Sequence, residues 1–372
     1  GILKLFHDAV FSFFGAIFRI FSRIYLNIKI MKTIIKQTAV AAIATTALMQ
    51  ANVQAADYTL RFAHFFPAVA GQQKDIFDKW AEAIETQSNG RIEVEMYPSS
   101  TLAKPPALYD AAKNRIADVV VTVQGYTANR FPLTQVVELP GIVNSAAQGS
   151  CILQSIYDEG FLDKEYRETK PLFLFTHGPG GIHTTEKEIN SPEDLEGLRI
   201  RRPTAVVAKI LEGLGAQPVG MPAPDAYQST QRGVIDGVSL PWEGQYTFRL
   251  NELTPHHTEV GGLYTLSFVA TMNKSFYNKL PADLKKVIDD NSGMDWAKIA
   301  AASFDRLDAE GRKQALEMGH KINVIEGGAE NPRWKPVLYQ ATEDYLNELE
   351  KKRLPAHKVY ARAVELSQST CQ

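Results

Sequence analysis

The 372-residue sequence has only two cysteines, Cys151 and Cys371, far too few for a disulfide scaffold, and both are expected to be unpaired thiols. It carries no excess of charge of either sign, with a net charge of −2, so a nucleic-acid partner is not expected. It has no internal repeat and no low-complexity tract. Catalytic signatures are missing too: there is no G-x-S-x-G elbow, no H-E-x-x-H and no C-x-x-C. Adjacent His256 and His257 would diverge on a helix or oppose each other on a strand, so they make poor joint ligands and read as surface residues. His177 and His183 lack a nearby carboxylate cluster, which leaves no metal or other cofactor to expect.

What is present has the length of two ordinary domains and the apolar fraction of a folded protein. Residues 1–30 are rich in Phe and Ile, with Lys4, Arg19, Arg23 and Lys29, and read as a non-native upstream extension. Residues 31–55 read as a secretory signal: Met31, basic Lys32 and Lys36, the apolar run TAVAAIATTALM, then Val53-Gln54-Ala55 as a small-x-small cleavage site. That apolar run is short for a membrane span.

From Ala56 onward strands and helices alternate. Thr59–Ala63 reads as a strand, followed by His64-Phe65-Phe66-Pro67 and a helix burying Ile76, Phe77, Trp80, Ala81 and Ile84. Arg91–Tyr97 alternates as a strand, and the continuously apolar 118–123 suits a central strand covered on both faces. The β-α-β-α-β order predicts an α/β fold with a parallel, helix-covered sheet. After a strand at Phe173–Phe175, the segment THGPGGIHTT lacks both a dinucleotide fingerprint and a P-loop, and reads as a hinge where Gly178, Gly180 and Gly181 supply unusual backbone angles. Residues 281–318 keep helical character, with Gly293 and Gly311 as possible bends; 334–346 reads as a last amphipathic helix and the tail beyond Leu354 as peripheral.

The most informative stretch is Ser191–Glu243. Ser191, Pro192 and Asp194 mark a short helix start, Leu198–Arg202 a strand ended by Pro203, and Thr204 a new helix closed by Gly215. A strand near Gln217–Val219 completes a strand–helix–strand unit. Ligands of open α/β sheets bind beyond the carboxyl ends of strands, where Arg201 lies, and its planar guanidinium matches a carboxylate edge-on as Lys cannot. The residues alone also allow a structural ion pair at the sheet edge. Beyond other strand ends lie Phe65, Phe66, Gln124, Tyr126, Trp242 and Phe268, aromatic or amide candidates for a substrate pocket, with Glu243 a candidate acceptor or a solvated loop acid.

The runs GLRIRRP, LGAQPVGMP and DAYQSTQRGVIDG, with LRFAHFFP, MYPSSTL and MNKSFYNKLPADLKKVI, resemble the solute-binding proteins of tripartite ATP-independent periplasmic (TRAP) transporters, the DctP family. The resemblance covers nearly all the chain after Ala56. It implies a type II periplasmic binding protein-like fold: two α/β lobes joined by a hinge and spanned by a long helix, residues 56–178 plus 266–304 forming one lobe and 179–265 plus 305–372 the other. It implies a periplasmic receptor rather than an enzyme, which captures a small organic acid and delivers it to small and large membrane permease subunits. Arg201 falls on the family's carboxylate-binding arginine, and Lys104 lies in a loop that contributes to the site in relatives; His64, in the loop after the first strand, and His183, next to the position of a second Arg in many members, are further candidates. Where many members carry a second Arg and an Asn, this chain has Ile182 and Leu240. A monocarboxylate with an apolar or aromatic body is therefore expected over a dicarboxylate. An ABC-type binding protein and a periplasmic enzyme are the rival readings.

Overall fold

The computed structural model describes residues 15, 17, 19–32 and 55–372. The signal expected at 31–55 falls almost wholly outside them, as does most of the extension expected at 1–30. Residues 19–32 are helical and expose apolar side chains such as Phe21 and Tyr25. No helix among the described residues is long and apolar enough to cross a membrane.

Residues 56–372 form one compact unit built on two sheets. The first has five strands in the order β2-β1-β3-β10-β4: β1 is Tyr58–His64, β2 Ile92–Tyr97, β3 Val119–Val123, β4 Lys170–Thr176 and β10 Ser267–Met272. β1 lies parallel to β2 and β3, whereas β10 runs antiparallel between β3 and β4. Every residue of β3 and β10 is buried, as an apolar run covered on both faces requires. The second sheet has six strands in the order β11-β9-β5-β8-β6-β7: β5 is Gly181–Thr184, β6 Arg199–Arg202, β7 Gln217–Gly220, β8 Gly237–Leu240, β9 His256–Glu259 and β11 Lys321–Val324. The chain thus passes from first to second sheet between β4 and β5, and back between β9 and β10.

Helix Met294–Glu317 packs against helix Ala146–Asp158 beside the first sheet and helix Trp242–Thr247 beside the second. Gly293, at φ +76°, separates it from Ala282–Asp290, a backbone angle that L side chains avoid. Gly311 is no bend. The helix is continuous through it, and glycine is needed because a β-carbon there would lie 2.1 Å from the Trp242 carbonyl oxygen.

Two expectations for the C-terminal region are corrected. Cys151 and Cys371 form a disulfide, with Cα atoms 5.6 Å apart. The tail is not peripheral: helix Ala356–Ser367 buries Val359, Ala363 and Leu366 and packs on Ala146–Asp158, which carries Cys151. The last amphipathic helix extends further than expected, Lys335–Lys351.

Candidate carboxylate-binding site

Arg201 stands on β6 between two parallel neighbours, paired with Val219 on β7 and Val238 on β8. Its strand-mate on the same face, Arg199, is exposed and bonded to Asp236, but Arg201 is completely buried. Among the described residues no carboxylate is hydrogen-bonded or ion-paired to it. Nε donates to the Met221 carbonyl at 3.0 Å, Nη1 to the Ser239 carbonyl at 3.0 Å and Nη2 to the Tyr126 hydroxyl at 3.1 Å. A guanidinium has five N–H donors, so one remains on each terminal nitrogen. Sealing a cation from water without a counter-charge costs several kcal/mol, which neutral acceptors offset only in part. A free N–H on each terminal nitrogen of a buried, uncompensated cation gives a carboxylate two donors to meet.

Tyr126 reaches Arg201 from the other sheet. It lies in the 3-10 turn Gln124–Tyr126 that follows β3, and its hydroxyl also accepts from the Ala223 N–H at 3.0 Å. Burial raises its pKa, against the charge of Arg201. Around it the rings follow one another: Phe65 at 5.6 Å from Tyr126, Phe66 stacked on Phe65 at 4.4 Å, Phe268 at 6.3 Å from Phe66, and His177 at 6.0 Å from Phe268. The register explains the gathering, since Val123, Phe268 and Phe175 lie side by side on β3, β10 and β4. Gln124 is buried with its Nε2 bonded to Tyr166 at 2.7 Å, while its Oε1 has no partner. His64 closes β1; its Nε2 meets Gln73 at 2.5 Å, and burial lowers its pKa to about 4, so it is neutral.

The remaining candidates divide differently. Lys104 is exposed. Trp242 and His183 belong to a separate cluster in which Trp242 Nε1 donates to Glu259 at 2.7 Å and its ring lies 5.0 Å from His183 and 4.7 Å from His257. Trp242 also lines a cavity of about 300 Å³ with Pro179, Gly181, Val260 and Ile325. Contrary to the surface reading, His257 is buried. Its Nδ1 meets His183 Nδ1 at 2.7 Å, its Nε2 meets His320 Nδ1 at 2.9 Å, and His183 Nε2 reaches the Leu240 carbonyl at 2.8 Å. That carbonyl only accepts, so in the neutral chain each N–H points toward it. Among the described residues no group of His, Cys, Asp or Glu side chains is arranged to hold a metal.

Glu243 is not a solvated loop acid. It is buried in the first turn of Trp242–Thr247, and one oxygen accepts from Gln72 and from Thr247. Burial, reinforced by the Asp308 charge, pushes its pKa up to about 8, and Asp308, which accepts from the Glu243 N–H at 2.6 Å, is itself raised by burial to about 7.

Sequence reasoning missed several groups. Phe248 packs on Phe65 and Phe66 at 6.5 and 6.3 Å. Tyr264 is buried, and its ring lies 5.9 Å from His177; its hydroxyl has no bond within normal limits, and burial raises its pKa despite the nearby Arg201 charge and the Ser239 side chain. Glu138 is buried where the two sheets meet. Its oxygens accept from Ser267 N–H and hydroxyl at 3.1 and 2.7 Å and from the Thr204 hydroxyl at 3.0 Å, while burial pushes its pKa to about 7. No spacing rule marks Glu138 in the sequence, because its partners Ser267 and Thr204 lie far away along the chain.

Residues 62–344 match the family described as bacterial extracellular solute-binding protein, family 7, or DctP. The chain belongs to this family. Members of this family are extracellular solute-binding proteins, and this chain shares the two-lobe α/β fold of the TRAP solute-binding proteins among its relatives. A marine metagenome TRAP solute-binding protein specific for aromatic acid ligands, solved with 3-hydroxybenzoate, is 39% identical with TM-score 0.80, covering 83% of this chain and 98% of its own. A TRAP solute-binding protein from Rhodoferax ferrireducens with copurified benzoate is 36% identical with TM-score 0.80, covering 83% and 97%. The C4-dicarboxylate-binding periplasmic protein DctP of Rhodobacter capsulatus is 25% identical over 309 residues, which is 80% of this chain and 90% of that protein.

Proposed function

We propose that this protein captures an aromatic monocarboxylate in the periplasm and delivers it unchanged to a TRAP permease of small and large membrane subunits. The observation that carries the reading is Arg201: wholly buried, without a carboxylate partner among the described residues, and joined through Tyr126 to a continuous set of rings. The guanidinium fork takes the carboxylate, while Phe65, Phe66 and Phe268 cover the apolar body. Lys104, the one candidate for a second clamp, points the reading away from dicarboxylates because it is exposed. Relatives that hold benzoate and 3-hydroxybenzoate support the same choice. The segments 176–181 and 264–267, which connect the sheets, act as hinges, and the signal at 31–55 exports the chain.

The test is a thermal-shift screen of ligand-stripped protein against mono- and dicarboxylates, aromatic and aliphatic. Ligand at one hundred times its Kd adds about 2.7 kcal/mol, so benzoate or a relative should raise Tm clearly. Arg201→Ala leaves the substrate carboxylate buried and unpaired, at about 3 to 5 kcal/mol, and should weaken calorimetric affinity by about two to three decades. Unchanged affinity in Arg201→Ala, or stabilisation by dicarboxylates alone, would overturn the assignment.

A further inference from the structure

His177 lies one residue beyond β4, at the sheet end that also carries Gln124 and Phe268. Its Nδ1 contacts the Gly178 carbonyl oxygen, which can only accept, so the proton is on Nδ1. Thr265 agrees: its hydroxyl donates to the His177 carbonyl at 2.7 Å and therefore turns a lone pair toward Nδ1, 3.4 Å away. Burial lowers the pKa of the ring to about 3, opposed by Gly178 and assisted by the charge of Arg201, so the imidazole is neutral. Nε2 is then a bare acceptor. It is buried and has no hydrogen-bond partner, although the ring packs edge-on against Tyr264 and Phe268, members of the group around Arg201. A metal role for this nitrogen finds no support, since no second ligand is grouped with it among the described residues.

We propose that His177 Nε2 accepts a hydrogen bond from a hydroxyl carried by the bound aromatic acid, so that the preferred ligands are hydroxylated aromatic carboxylates. This deepens the aromatic-acid reading and rests on it. A ring without the hydroxyl leaves Nε2 unsatisfied in a site from which water is displaced. A site built to bond a hydroxyl rejects the analogue lacking it far better than an apolar wall rejects an added methyl.

The experiment is calorimetric titration of the protein with benzoate, the three hydroxybenzoates and the three methylbenzoates, the last matching hydroxyl size without a donor. At least one hydroxybenzoate should bind about 5- to 30-fold more tightly than benzoate, and the methyl compound of the same substitution should show no such gain. His177→Phe should erase the preference for the hydroxybenzoate over the methylbenzoate of the same substitution, and His177→Gln, which keeps an acceptor, should retain part of it. Benzoate binding with no hydroxybenzoate preferred would overturn the role of His177 alone, and the wild-type series decides this even if the Phe variant does not fold. A preference undiminished in His177→Phe would do the same. Failure of every aromatic acid to bind would remove the aromatic-acid reading, and this inference with it.

Discussion

A buried guanidinium destabilises its own fold until something negative arrives, and Arg201 carries that debt at the point where the two sheets meet. Glu243 shows the opposite solution, because a buried carboxyl can simply keep its proton. Its pKa, ordinarily 4.5, is raised to about 8, so its contribution to stability is complete below about pH 4.5 and is lost as pH rises through 8. His183 and His257 are lowered from 6.5 to about 4 and about 2, so theirs is present above pH 6.5 and is lost as pH falls through 4. Tm should therefore pass through a maximum at mildly acidic pH. Glu243→Gln mimics the protonated acid and still accepts from Gln72. It should match wild type near pH 5 and exceed it near pH 8.5; parallel Tm curves across that range would show that Glu243 is ionised in the fold.

At the scale of elements, the C-terminal helix Ala356–Ser367 is fastened to Ala146–Asp158 by a bond that closes 220 residues of chain. Loop-closure entropy for so long a span predicts stabilisation of about 5 kcal/mol, and removing native disulfides typically costs about 2 to 5. Cys151→Ser with Cys371→Ser should lower denaturant-measured stability within that range yet leave ligand affinity within twofold, since neither cysteine touches the groups around Arg201. Loss of affinity comparable to that of Arg201→Ala would mean that the helix positions the site. This pairing was invisible in the sequence because two cysteines 220 residues apart carry no spacing signal. β6 was legible for the contrary reason: capping residues, a short alternating strand and a terminal proline all lie within a dozen residues and act locally. The strand ends bearing Phe65, Tyr126 and Phe268 were legible as places, but which of them meet depends on sheet order, and the antiparallel insertion of β10 is not written in any one segment. His257 was misread because pairing of β5 with β9 sets it opposite His183, a relation that only the register creates.

Capture of an aromatic acid at Arg201, as proposed, requires the whole molecule to open for loading. Arg201 and the rings around it are buried, and Tyr126, from one sheet, bonds to Arg201 on the other, so a ligand of benzoate size reaches the fork only when the lobes part. Contacts outside that ring cluster also hold the lobes together, among them Gln72, beyond β1, which donates to Glu243 beside the second sheet, and Thr204, after β6, which donates to Glu138. Each is a bond formed only in this arrangement, so each biases the opening equilibrium by the net worth of a buried hydrogen bond, about 0.5 to 1.5 kcal/mol. Gln72→Leu and Thr204→Val should thus weaken ligand binding by about two- to tenfold each, mainly by faster dissociation, because they act after the ligand has entered. X-ray scattering should show a smaller radius of gyration with ligand than without. If stopped-flow kinetics instead put the loss in the association rate, with dissociation unchanged, these bonds would be shaping the open form, and closure would be driven by the ligand's own contacts with Arg201 and the rings.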